Sequence, residues 1–136
     1  MLSPTWTTIR LFVHVLAASV WVGGQIVLVS IVPAIRASHP EATKLIAVAY
    51  GRVAWPAFVI LVVTGIWNLA DVAVSDTDVS YQVSLLLKIA LALVSGAAAV
   101  VHQVGRSRLA LAVGGAVGFS TALAAMFVGT LLGTGS

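Results

Sequence analysis

The side chains best suited to chemistry stand inside long apolar runs. His14 and Gln25 lie in Leu11 to Ile35, twenty-five residues with no formal charge, and Lys88 and His102 lie in a later run whose only formal charge is Lys88. A histidine inside a membrane-length segment can hold a metal or pass a proton, and an intramembrane lysine is costly enough to imply a purpose. The spacing is equally telling. His14, Ala18, Trp21, Gln25 and Leu28 follow at steps of four, three, four and three, one stripe on one helical face. Lys88, Ala92, Ser95, Ala99 and His102 repeat the pattern, and Ala57, Leu61, Thr64, Asn68 and Asp71 make a third stripe.

Such stripes need spanning helices to carry them, and the composition supplies these. Of 136 residues, 60% are hydrophobic and 8% charged, with a mean hydropathy of +1.11. An ordinary soluble domain is about a quarter charged, so an integral membrane protein is expected. The seven basic residues are scattered singly, which leaves no basic face to track phosphates and argues against nucleic acid. With no cysteine there are no disulfides, thiolate metal sites or cysteine nucleophiles. The first apolar run exceeds a signal-peptide core and is expected to be retained.

In order, the chain predicts four helices in a single transmembrane domain over 1–136, at roughly 7–35, 42–73, 79–105 and 108–133. The fold class expected is an all-α, integral membrane four-helix bundle with antiparallel neighbours. Trp6 suits the headgroup level. Ser38-His39-Pro40-Glu41 reads as a capping box opening the second helix, in which Arg52 and Pro56 interrupt the start and Val53 to Ala70 is the uncharged length. Asp71 to Tyr81 is the one stretch polar enough for a sizeable solvated loop. In the last helix Gly114, Gly118 and Ala122 recur every four residues, a small-residue face for close packing on a neighbouring helix or on a homo-oligomer or complex partner.

Arg36, Lys44, Arg52, Arg106 and Arg108 fall on the side of the first and third connections, and Arg10 alone on the other. Positive-inside bias then places both termini outside the cytoplasm. On that topology His14 and Lys88 come to similar depth on parallel helices, in an outer polar layer with Asn68 and Asp71. Gln25 and His102 form a poorer inner layer. Plainer readings stand beside these: Lys88 snorkelling to headgroups, Asp71 as a loop or cap residue, His102 as interfacial, His39 as solvated, Gln25 as interhelical glue. His14 is the hardest to account for as packing.

His14 followed after six residues by Trp21-Val22-Gly23-Gly24, then Val32-Pro33, Gly65-Ile66-Trp67-Asn68-Leu69 and Lys88, resembles the copper-resistance-D-like (CopD) membrane proteins and the related HemJ-type protoporphyrinogen oxidases. The resemblance covers most of the first three helices. It implies a small bacterial four-helix bundle, which in the HemJ branch binds haem b through the histidine of the first helix and the lysine of the third, here His14 and Lys88. The chain departs from that branch at Ala34, where the branch carries an arginine.

Haem b is the favoured cofactor and copper the alternative, because a copper(I) path wants soft sulfur donors and the chain offers only Met1 and Met126. Haem asks for one or two axial donors and an apolar slot between helices. The expected cofactor site is His14 and Lys88, with His102 as the alternative metal ligand, Trp21 and Asn68 against the cofactor, and Gln25, Asp71 and Ser95 around them. Three classes stay open: a haem protein for electron transfer or an oxidase-type reaction, a copper-handling membrane protein, and a non-catalytic small subunit of a membrane complex.

Overall fold

A computed structural model describes residues 2–135, and these form helices with no strand among the described residues. The four long ones are α1 (Trp6–Ser38), α2 (Ala42–Asp71), α3 (Val79–Val104) and α4 (Arg108–Thr134), with a single 3-10 turn at Val74–Asp76 between α2 and α3. All four are long and apolar enough to cross a bilayer, the mark of a multi-pass membrane protein. Large apolar side chains such as Phe12, Ile66, Leu86 and Phe127 are exposed. Most buried residues are small: Ala17, Ala54, Ala57, Ala98 and Ala122. Lipid takes the large side chains, and helix contact takes the small ones.

The helix starts are set by side-chain caps. Thr5 accepts from the Thr8 N–H at 3.2 Å while Thr8 accepts from the Thr5 N–H at 3.3 Å, a reciprocal pair that satisfies two otherwise orphaned donors. The capping box expected at Ser38 and Glu41 does not form. α1 runs through Pro33 to Ser38, whose hydroxyl donates to the Ala34 carbonyl instead, and Glu41 makes no side-chain cap. The break falls at His39 because a residue preceding proline is pushed out of the helical region, here to φ −140° and ψ 68°. Pro56 does not interrupt α2 either; the helix is continuous across it.

Ser107 caps α4 through the Ala110 N–H at 3.0 Å, and Asp78 caps α3 through the Tyr81 N–H at 2.8 Å. The Tyr81 N–H, and after it the Ser80 hydroxyl, hold the Asp78 carboxyl below the usual aspartate pKa. The carboxylate form is therefore favoured in the folded chain. Its contribution is complete above the ordinary aspartate pKa and is lost as pH falls through the lowered folded value. Asp78→Asn keeps a cap acceptor that does not titrate, so its melting temperature relative to wild type should rise as the pH is taken below that range. A difference constant with pH would refute this cap as the source.

Contacts group the helices into two compact units, α1 with α2 through Val72 and α3 with α4 from Ala73. In the first, contacts run in reverse order along the two helices: Arg10 meets Asn68 and Asp71, His14 meets Thr64, and Tyr50 bonds to the Trp21 carbonyl. In the second, Ser95 meets Gly118 and His102 meets Leu111. The Gly114, Gly118 and Ala122 face is buried against α3, so a partner helix could use it only by displacing α3.

Candidate functional site

In the first pair the site begins with His14, half-buried one turn in from Arg10. Its Nδ1 lies 2.8 Å from the Thr64 hydroxyl, a buried group 8% exposed. That hydroxyl has one hydrogen, which it donates to the Ile60 carbonyl at 2.7 Å and, less directly, the Leu61 carbonyl at 3.2 Å. Thr64 must therefore accept from His14, so Nδ1 carries the proton and Nε2 the lone pair. A second partner that fixes the tautomer and ring orientation is the usual companion of a ligating histidine. Gly65 lies beside the ring, where a Cβ would sit 3.5 Å from His14 Cε1.

Asn68 and Asp71, expected near a cofactor, are both engaged by Arg10. The Arg10 Nε donates to Asn68 Oδ1 at 2.6 Å, and Nη1 forms an ion pair with Asp71. The guanidinium also lies over the Trp67 ring, 5.5 Å from its centroid. Its side chain is only 10% exposed. Arg10 was missed as a site residue by sequence reasoning, though a signal was there: it lies one four-residue step before His14 on the same stripe, facing the acidic end of the α2 stripe.

Further along, Trp21 is buried in an aromatic cluster, with ring centroids 5.4 Å from Trp55 and 4.5 Å from Phe58. Gly24 is the second glycine of the Trp-x-Gly-Gly motif, and a Cβ there would overlap the Tyr50 ring. That ring sits over the glycine and its hydroxyl donates to the Trp21 carbonyl at 3.0 Å. Tyr50 went unnoticed because an isolated aromatic residue in an apolar helix carries no pattern of its own. Gln25 does not bridge to another helix through its amide; Nε2 donates to the Trp21 carbonyl of its own helix at 2.9 Å.

In the second pair, Lys88 is half-buried with its stem across Gly129, whose missing Cβ would lie 3.3 Å from Lys88 Cε and Nζ. Ser95 is 1% exposed and donates to the Gly118 carbonyl at 2.9 Å, a bond between α3 and α4. His102 donates from Nδ1 to the Leu111 carbonyl at 2.6 Å. Its ring packs close to Gly115, where a Cβ would come within 3.1 Å. Ser95 and His102 thus serve the α3 and α4 contact, whereas His14 is held by its ring nitrogen on a side chain.

Among the described residues no three His, Cys, Asp or Glu side chains are grouped as a metal cluster. Met1, counted among the soft donors, lies outside the described residues. No family model, curated protein or solved structure matches this chain.

Proposed function

We propose that this multi-pass membrane protein folds as an antiparallel four-helix bundle in a bacterial cytoplasmic membrane and binds haem b through His14, with Lys88 as the second donor. The observation that carries this reading is the hydrogen bond from His14 Nδ1 to Thr64, which leaves Nε2 as the ring's donor atom in a fixed orientation. The donor set fits haem better than a bare ion. A porphyrin brings four of the iron's ligands, so one oriented histidine goes far, whereas copper must collect several protein donors, preferably sulfur.

Haem b would supply one-electron iron chemistry, for electron transfer or an oxidase-type step. The chain's own part is to orient the imidazole through Thr64, to keep the surroundings apolar, and to hold the Arg10 and Asp71 ion pair one turn away. Lys88, neutral when it coordinates, is the second donor by its resemblance and its stripe. The absorption spectrum of the purified protein tests the reading: a Soret band supports it, copper without such a band replaces it with copper handling, and neither leaves a small structural subunit.

The proposed topology, with both termini outside, rests on five basic residues on the side of the first and third connections against Arg10 alone on the other. The native chain lacks cysteine, so a single cysteine at Thr77 should react with an impermeant maleimide added outside intact cells, and one at Ser107 should not. The reverse pattern would invert the bundle.

A further inference from the structure

Arg52 is a charge set among uncharged neighbours in α2. Residues 45–51 before it and 53–70 after it are uncharged, so it stands eight residues past Lys44, at the start of the uncharged length of α2. It is exposed, and the one salt bridge among the described residues joins Arg10 to Asp71. A guanidinium on an exposed helix face at the edge of a hydrocarbon span is costly unless it reaches water or an anion meets it.

Beside Arg52 the α1 and α2 pair carries an open groove of about 390 Å³. Ala17 and Ala57, 5% and 7% exposed, form its floor, and the exposed Leu16, Val53 and Ile60 its walls. Arg52 and Pro56 both line it. Proline has no N–H, so the Arg52 carbonyl loses its partner in the helical ladder; a helical carbonyl points along the axis, towards residue i+4, here the Pro56 side of the groove. One end therefore offers a cation beside an acceptor, and the rest offers hydrocarbon. The groove runs from Arg52 to Ile60, about 12 Å.

We propose that this groove binds an anionic glycerophospholipid, its phosphate on the Arg52 guanidinium, a headgroup hydroxyl on the Arg52 carbonyl and one acyl chain over Ala17 and Ala57. Charge complementarity selects the occupant. A zwitterionic lipid brings its own cation to a site that already has one, and an apolar helix brings no anion. Basic pockets between spanning helices commonly take acidic headgroups, and Arg pairs with phosphate through two parallel donors.

The test uses the full chain in mild detergent, with dioleoylphosphatidylglycerol and dioleoylphosphatidylcholine as probes. Native mass spectrometry should show one phosphatidylglycerol retained at concentrations where phosphatidylcholine is lost, and the same lipid should raise the melting temperature. Arg52→Gln should weaken phosphatidylglycerol retention about tenfold, the loss of one charge-assisted contact, and leave phosphatidylcholine unchanged. Ala57→Leu fills the floor and should weaken retention; Ile60→Trp, on the exposed wall, reports the same narrowing if Ala57→Leu does not fold. Equal retention of the two lipids by wild type, or a phosphatidylglycerol preference that survives Arg52→Gln, would overturn the proposal. The first result would mean annular lipid only and point to a partner's carboxylate as the Arg52 counter-charge.

Discussion

His14→Ala should reduce haem per folded protein to below about a tenth of the wild-type value, read as Soret absorbance against protein mass, because in the proposed site the His14 imidazole would hold the haem. The fold should persist: the Thr64 hydroxyl still donates to the Ile60 carbonyl. Thr64→Val tests the orientation separately. It keeps the ligand but deletes the acceptor for Nδ1–H, and loss of such a supporting bond typically costs 10- to 100-fold in affinity. Lys88→Met should shift the reduced spectrum or lower occupancy. His102→Ala should do neither if its ring, bonded to the Leu111 carbonyl and packed on Gly115, serves only the α3 and α4 contact. A Soret band of full intensity in His14→Ala would sink the functional reading, and a loss in His102→Ala would transfer the ligand to the second helix pair.

The largest expected stability effect belongs to Gly114. A Cβ there would meet the His102 nitrogen at 2.7 Å and the Ala98 carbonyl oxygen at 2.9 Å, both backbone atoms that cannot swing away. Gly114→Ala must push α3 and α4 apart, and overpacking of this kind typically costs about 1–3 kcal/mol. Gly118 is on the same face but its Cβ would sit 3.6 Å from Ala98 Cβ, an ordinary contact. There an alanine adds packing and recovers up to about 1 kcal/mol of helix propensity. The two substitutions should move the melting temperature in detergent in opposite directions. If both are neutral, the α3 and α4 pair does not depend on that crossing.

Why the four helices were legible is plain from Leu11 to Ile35 and from Leu109 onward: uncharged runs of membrane length have few other uses. The ends were less so. Ser38 and Glu41 match a cap in spacing, yet a serine inside a helix can donate back to its own turn, and Ser38 does so. The real reciprocal cap, Thr5 with Thr8, lacks the glutamate that usually announces one. At the site, the stripe through His14 gave the right face, since Trp21 is buried and His14 and Gln25 half-buried on it. Periodicity reports which residues share a face, but not which partner each takes. Asn68 and Asp71 share a face with Thr64, and only the structure shows that Arg10 takes both while Thr64 meets the histidine. The pairing of His14 with Lys88 rests on similar depth, matching stripes and resemblance, because spacing within one helix says nothing about a neighbour's rotation.

The length of α1 has a further consequence. Its 33 residues rise about 50 Å, and its uncharged stretch alone rises about 37 Å, against a hydrocarbon core near 30 Å. In a thin bilayer the helix must lean or carry apolar turns into the headgroups, and each ångström of mismatch has a cost. Because α2 grips α1 at Gly24 through Tyr50 and at Arg10 through Asp71, the two would lean as one body. Bilayer thickness then sets the angle at which the His14 ring meets the membrane normal, so the composition of the surrounding lipid becomes a mechanical input to the site.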